Sequence, residues 1–331
     1  MTAEEFRAPP TLDLVVPCYN EEDCLEPLIA ALRELSDGLV TDGRIAGMGR
    51  VILVDDGSSD RTWEMIQTAV QEAGVGDGLA VLGVKLSKNH GHQRALLAGL
   101  MTADADVVIS LDADLQDDIG AIAKMITAYR AGAEIVFGVR ASRETDTTFK
   151  RFTARTYYRG LRFIGADVVQ DHADFRLMTQ KALAALRAHP EANLYLRGLI
   201  KSLGFSSAVV TYDRNERVAG ETKYPLRKMV GLAIEGVTSS SIKPLRYVTL
   251  LGFLIALFSI GYIIWAVVAR FLGITVSGWA SIVGSIYLLG GVQLLCLGVF
   301  GEYLGRIYLE TKRRPQFLID QVARSDEPHS S

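Results

Sequence analysis

Between Asp112 and Asp118 the chain carries four carboxylates and one amide: Asp112, Asp114, Gln116, Asp117 and Asp118. They follow Val107-Val108-Ile109-Ser110-Leu111, a short β-branched run of the kind that forms a buried strand. Unpaired carboxylates are too costly to carry into a core. The acidic residues therefore belong at the strand's carboxyl end, where open α/β sheets bind ligands. Asp112 and Asp114 stand two apart and are expected to project to one side. Two hard oxygen ligands with Gln116 beside them suit Mg2+ or Mn2+ already carrying a diphosphate. The same residues also read as an acidic strand-to-helix loop in which Asp117 or Asp118 caps the next helix.

The elements that would position this motif repeat along the first two thirds of the chain. Strand-like runs at 12–17, 51–55, 80–86, 107–112 and 135–139 alternate with helix-like segments at 23–35, 61–73, 93–102 and 119–131. Such alternation predicts a mainly parallel sheet covered on both faces, over a domain spanning 11–224. The glycine-containing stretch 36–50 reads as a surface loop. Residues 1–10 are polar, include Glu4 and Glu5, do not resemble a signal peptide and are expected to be disordered. Net charge is −3 with no basic block, which argues against nucleic acid as a partner. The three cysteines, Cys18, Cys24 and Cys296, make no metal pattern and fit a reducing compartment.

Each strand end brings further polar residues. The first turn, Pro17-Cys18-Tyr19-Asn20-Glu21-Glu22, replaces the glycines of a dinucleotide fold with a proline, a ring and a carboxylate. Tyr19 is suited to pack on a base or ribose and Glu21 to accept its hydrogen bonds; taken alone, the turn reads first as a plain helix start with acidic first-turn residues. Asp55 and Asp56 end the second run, before Gly57-Ser58-Ser59-Asp60, and are suited to read a nucleoside, while Ser59 or Asp60 caps the helix that follows. The third exit, Ser87-Lys88-Asn89-His90-Gly91-His92-Gln93-Arg94, has two histidines but no nearby Cys or third His to complete a zinc site. Gly91 is expected to allow a tight turn.

In order and spacing, Pro17-Cys18-Tyr19-Asn20-Glu21-Glu22, Val54-Asp55-Asp56-Gly57-Ser58-Ser59-Asp60, Asn89-His90-Gly91-His92-Gln93 and Asp112-Ala113-Asp114-Leu115-Gln116-Asp117 resemble family 2 glycosyltransferases. The chain looks most like their polyisoprenyl-phosphate branch, which includes dolichyl-phosphate mannose synthases and bactoprenol glucosyltransferases. The resemblance runs from about Leu12 to Ile319 and implies a GT-A fold with a mainly parallel mixed sheet, a nucleotide-sugar donor and a divalent metal at Asp112, Asp114 and Gln116. It implies donor contacts from Pro17, Tyr19, Glu21, Asp55, Asp56, Lys88, Gln93, Asp112 and Ala113. Asp117-Asp118-Ile119-Gly120 departs from the prolines common in this branch, which puts the start of the following helix in doubt.

Beyond Val139 the stretch 149–165 carries Arg151, Arg155, Arg159 and Arg162 at helical spacing among aromatics, a pattern suited to a membrane interface or to an ordinary solvated helix. By resemblance Arg140 and Arg155, with Arg151 beside them, hold the lipid's phosphate, where a planar guanidinium fits. Asp174, in Asp171-His172-Ala173-Asp174-Phe175-Arg176, matches the candidate catalytic carboxylate, with Asp114 and Arg140 sharing the catalytic site; a purely structural pairing of Asp174 with Arg176 or Arg140 stays open. The polar segment 214–224 resembles the branch's Arg-x-x-Gly-x-Ser-Lys-Tyr loop, with Thr222 in place of Ser, and would let Arg217 and Lys223 neutralise donor phosphates on closing; a surface loop without function is equally compatible with its composition, and no Gln-x-x-Arg-Trp motif of polymer synthases occurs.

Residues 225–246 read as an amphipathic interface helix, and 247–269 and 279–301 as a two-helix hairpin, each segment long enough for the roughly 30 Å hydrocarbon core. Lys243, Arg246, Arg306, Lys312, Arg313 and Arg314 flank the hairpin, against Arg270 alone in its linker. The positive-inside rule then puts the catalytic domain and both termini on the cytoplasmic side of the inner membrane, with 302–331 as a tail that is disordered after Ile319. The expected activity is transfer of one sugar, with UDP-glucose the favoured donor and GDP-mannose or another UDP-sugar the alternatives, to undecaprenyl or dolichyl phosphate. Self-association and a flippase that takes the product onward are left open. A phosphatase using Asp-x-Asp and a non-catalytic membrane scaffold are the rival classes; the former normally carries its pair on the first strand, whereas three strand-like runs precede Asp112 here.

Overall fold

The computed structural model describes residues 6–47, 49–73, 79–140, 172–189, 196–213, 243–272 and 278–324. The chain divides into two compact units, one formed by 1–148, 169–223 and 314–331, the other by 149–168 and 224–313.

The first unit is built on an eight-stranded mixed sheet. Its strands are β1 (Leu12–Cys18), β2 (Arg50–Asp55), β3 (Ala80–Leu86), β4 (Val107–Ser110), β5 (Ile135–Arg140), β6 (His172–Thr179), β7 (Ser207–Tyr212) and β8 (Ile319–Ala323). They lie in the order β7-β5-β6-β4-β1-β2-β3-β8. β1, β2, β3 and β4 are mutually parallel, so their carboxyl ends share one edge. β6 runs antiparallel to β4, and its beginning therefore arrives at that same edge.

Alternation along the strands feeds two core layers. Leu12, Leu14 and Val16 of β1 pack with Leu25, Leu28 and Leu32 of α1 (Leu25–Thr41), with α2 (Thr62–Ala73) and with α4 (Ala121–Arg130). Val15, Ile52 and Val54 face the opposite layer, which holds α3 (His92–Thr102), α5 (Gln180–Arg187) and α6 (Leu196–Ser202). This is the GT-A-like α/β arrangement expected, with the predicted strands in place.

Four expectations need correction. Helix α1 runs on to Thr41 instead of yielding to a loop at residue 36, because Ser36 and Leu39 continue the buried 3–4 spacing of Leu28 and Leu32. Strand β4 stops at Ser110, and Leu115 takes a positive φ of 52°, so Asp112 and Asp114 sit in a turn rather than on alternating strand positions. The N-terminal stretch is not loose from residue 6 onward: Arg7 pairs with Glu134 at 2.7 Å and lies over the Tyr129 ring at 4.9 Å. The tail is not disordered after Ile319, since β8 pairs antiparallel with β3 and Val322 and Ala323 pack on the two core layers. A five-residue edge strand interrupted by Asp320 and Gln321 carries little local signal, and its order comes from the partner it meets.

The second unit contains two long helices, α7 (Lys243–Phe271) and α8 (Trp279–Thr311). Among the described residues one stretch, Leu288–Thr311, is long and apolar enough to cross a membrane, while 247–262 is apolar but shorter. Of the two spans expected at 247–269 and 279–301, one candidate stretch overlapping the second thus meets the length and composition for crossing, and the linker residues 273–277 fall outside the described residues.

Candidate active site

Three loops at the shared sheet edge are fastened to one another by side chains that the sequence presents as turn formers. After β1, Asn20 adopts a φ of 54°, a conformation its short amide tolerates. Its N–H donates to Ser58 Oγ at 3.0 Å, and its Oδ1 accepts from the Ser59 N–H at 2.8 Å. The Glu21 N–H donates to Thr62 Oγ1 at 2.9 Å. Asp56, buried, accepts from the His90 N–H at 2.7 Å and the Gly91 N–H at 2.8 Å, so it clamps the loop after β3. Gly57, at φ 71°, allows that loop to come close: a Cβ there would lie 2.6 Å from Asn89 N. Gly91, at φ 92°, turns the chain into α3 as expected.

The loop after β4 brings Asp112 and Asp114 into this frame. Asp112 Oδ1 is buried and makes no hydrogen bond among the described residues, with His92 Nε2 standing 3.5 Å away. Burial pushes the Asp112 carboxyl up to about 6; the His92 ring opposes the shift, and Asp174, Asp117 and Asp114 add to it. Asp114 Oδ1 accepts from the Gln116 N–H at 3.2 Å, which holds the turn. Burial and then the Asp114 charge raise the Glu21 carboxyl, with Asp112 contributing, so three carboxylates share one field. Among the described residues no three His, Cys, Asp or Glu side chains form a closed metal cage. Mg2+ is commonly held by one or two carboxylates together with substrate phosphates, and the orphaned Asp112 oxygen beside Asp114 fits that mode. Gln116 is buried beneath the turn.

Asp174 lies at the start of β6 and is 3% exposed. Its Oδ1 forms an ion pair with Arg176, two residues on and on the same side of the strand. Its Oδ2 accepts from Gln93 Nε2 at 3.0 Å and lies 3.2 Å from His92 Nε2. The pairing with Arg176 weighed from sequence is present. Arg140, at the end of β5, instead bonds Asp117 Oδ1 through Nη2 at 3.0 Å and Nε at 3.3 Å. Burial works against its charge, but Asp117 and Tyr212 outweigh that and raise its pKa.

The structure therefore gathers Glu21, Asp112, Asp114, Gln93 and Asp174 around one edge of the sheet. Tyr19 and Lys88 are exposed there, Pro17 is buried in β1 and Ala113 in the turn after β4, and Asp55 accepts from the Ser58 N–H at 3.1 Å. Arg151, Arg155, Arg217 and Lys223 lie outside the described residues. Sequence reasoning missed His92 as a site residue, having weighed it only for zinc, and missed Asn20, Thr62 and Tyr212. Asn20 was findable as the one residue of its turn that tolerates positive φ; Tyr212 had no local signal.

Comparison with known proteins agrees with this arrangement. The family model described as glycosyl transferase family 2 matches residues 13–187. An uncharacterized glycosyltransferase of Bacillus subtilis, YkoT, is 49% identical over 94% of this chain and 91% of its own length. The bactoprenol glucosyl transferase of Shigella phage SfX is 38% identical over 93% of this chain and 98% of its own. A prophage bactoprenol glucosyl transferase homolog of Escherichia coli is 36% identical over 95% of this chain and 99% of its own. Matches of this extent run through both units, and the chain is a member of glycosyl transferase family 2.

Proposed function

We propose that the protein is a membrane-bound, inverting glycosyltransferase that moves one sugar from a nucleotide sugar to a polyprenyl phosphate. The observation that carries the reading is the juxtaposition at one sheet edge of Asp112, whose buried Oδ1 makes no hydrogen bond among the described residues, and its neighbour Asp114 with a guanidinium, Arg140, whose hydrogen bonds to described residues run through Nε and Nη2. The names of near-full-length relatives support bactoprenol phosphate as acceptor and glucose as the sugar. UDP-glucose is accordingly the donor we favour, with GDP-mannose or another UDP-sugar as the alternative.

In this reading the loop after β1 seats the nucleoside, with Tyr19 against its ring and Glu21 and Asp55 toward its polar groups. Asp112 and Asp114, with Gln116 beneath them, would hold Mg2+ or Mn2+, which supplies charge neutralisation to the leaving diphosphate. Arg217 and Lys223, which follow β7 in sequence, would neutralise the donor phosphates. The acceptor's phosphate oxygen forms the new bond to the anomeric carbon as the bond to the diphosphate breaks, from the opposite face. A phosphate monoester, with a second pKa of about 6, is already largely dianionic at neutral pH and needs little help from a base. This agrees with Asp174 being occupied by Arg176, His92 and Gln93.

The membrane part of the proposal is a hairpin of α7 and α8. At ~1.5 Å per residue, their 29 and 33 residues reach about 43 and 50 Å, more than the roughly 30 Å core requires. Flanking Lys and Arg residues support cytoplasmic termini. The phosphatase reading is weaker, because a nucleophilic Asp would normally follow the first strand and here three parallel strands precede Asp112.

The two substrates are separable by mutation. Arg155→Ala should weaken use of the lipid phosphate and leave donor binding nearly unchanged, with Arg155→Lys restoring only part, since an ammonium lacks the planar fork. Lys223→Ala should weaken the donor side instead. Kinetic titration of each substrate, with donor binding measured by calorimetry, tests this; equal loss of both substrates in Arg155→Ala would refute the division.

A further inference from the structure

Asp117 follows the metal-binding turn but has partners of its own. It is buried, and its Oδ1 receives the Tyr212 hydroxyl at 2.6 Å and Arg140 Nη2 at 3.0 Å. Three elements meet in this contact: the turn after β4, the last residue of β5 and the last residue of β7. Arg140 and Tyr212 are register partners on the parallel strands β5 and β7, which brings both side chains to one sheet end. Phe175 packs edge-on against the Tyr212 ring at 5.2 Å and 86°, so the hydroxyl is held in place from behind. Asp117 does not cap the helix that follows: no side chain caps α4 at its Gly120 N-cap, and it is Asp118 Oδ1 that accepts the Gly120 N–H, at 2.9 Å, just ahead of it.

The consequence falls on Arg140. Its bonds run through Nε and Nη2, and no described residue bonds its Nη1. The side chain remains 31% exposed. A guanidinium is planar and rigid, so fixing one edge fixes the direction in which the other donates. We infer that Asp117 and Tyr212 are positioning residues that aim the open edge of Arg140 at the acceptor's phosphate. One acidic motif then serves both substrates, the donor through Asp112 and Asp114 and the acceptor through Asp117. This rests on the reading of Arg140 as an acceptor-phosphate ligand given above.

The test uses the full-length protein in lipid vesicles, with undecaprenyl phosphate as acceptor, UDP-glucose as donor and UDP as the calorimetric probe of the donor site. Asp117→Asn keeps the shape but removes the charge, and should raise the acceptor KM about tenfold, the scale of a hydrogen bond to a charged group. Tyr212→Phe keeps the ring and should raise it by a smaller factor, about threefold, as for a single neutral donor. Asp117→Glu should recover part of the loss, and UDP affinity should stay within about twofold in all three, since the donor contacts are untouched. Equal losses of UDP affinity and acceptor use would overturn the inference. So would a fall in melting temperature with an unchanged acceptor KM, which is what a purely structural role produces. If Asp117→Asn does not fold, Tyr212→Phe decides alone. Failure of the underlying reading shows in the wild type instead, as UDP release that is indifferent to undecaprenyl phosphate, and that result removes the inference with it.

Discussion

His92 Nε2 lies 3.2 Å from Asp174 Oδ2, joining the first turn of α3 to a strand that begins much later in the chain. The same ring nitrogen stands 3.5 Å from Asp112 Oδ1, so one imidazole links the carboxylate proposed for the metal to the carboxylate matched to the catalytic position. With Arg176 and Gln93 on its remaining bonds, Asp174 has the environment of an anchor.

An anchor and a base respond differently to the same substitution. Asp174→Asn removes the counter-charge of Arg176, which is itself 2% exposed. Breaking a buried pair by altering one partner typically costs about 3–5 kcal/mol. We expect Asp174→Asn to lose stability together with activity, as measured by denaturant unfolding of the detergent-solubilised protein. Lost turnover with stability unchanged would restore the proton-acceptor role.

Asp112 should show the opposite trade. Its folded pKa is raised from 3.8 to about 6, so without metal the native state holds a proton that the unfolded chain releases. Stability of the metal-free protein should therefore fall as pH rises from about 4 to about 6, through the window between those two values. Asp112→Asn should flatten that fall and raise the melting temperature at pH 7 in chelator, while abolishing the stabilisation that added Mn2+ gives the wild type. Thermal scans across this pH range, with and without Mn2+, check both arms, and an identical pH profile in the mutant would refute the assignment.

The returning strand β8 covers the edge of β3, and the Ser87 N–H donates to Leu318 O at 2.9 Å just where the loop that carries His90 and leads to His92 begins. Truncation before Phe317 should leave β3 as an open edge. Hydrogen exchange of peptides covering Ala80–Leu86 should speed up markedly in the truncated protein. Unchanged protection there would mean that β8 contributes nothing to the sheet.

Much of this fold was legible because β1 to β5 are compact apolar runs followed by polar turns, and such runs have few ways to be buried. β6 was hidden by Asp174 and Arg176, two charges inside a strand that become tolerable only by pairing with each other. β8 was hidden because five residues broken by Asp320 and Gln321 give no strand alternation, and their order comes from pairing with β3 and packing on its two faces. In the site, Asp112 and Asp114 announced themselves by type and spacing, although the turn that presents them is not the alternating strand their spacing predicted. Asp56 read as a nucleoside contact and proves to have both oxygens on backbone amides of another loop. Asp117 and Tyr212 were out of reach, since the two residues meet across 95 positions and only strand register brings them together.

The central claim is transfer of a sugar to a lipid phosphate, and product analysis tests it most directly. Purified full-length protein in vesicles with undecaprenyl phosphate and a divalent cation is supplied with each of a panel of radiolabelled UDP- and GDP-sugars. We predict that label from one donor, UDP-glucose first, enters the organic phase as a polyprenyl-phosphate-linked monosaccharide of inverted anomeric configuration. Nucleoside diphosphate should be released in equal amount, and only when the lipid phosphate is present. Nucleoside diphosphate released without any labelled lipid, or label recovered in a polymer rather than a single lipid-linked sugar, would contradict the account.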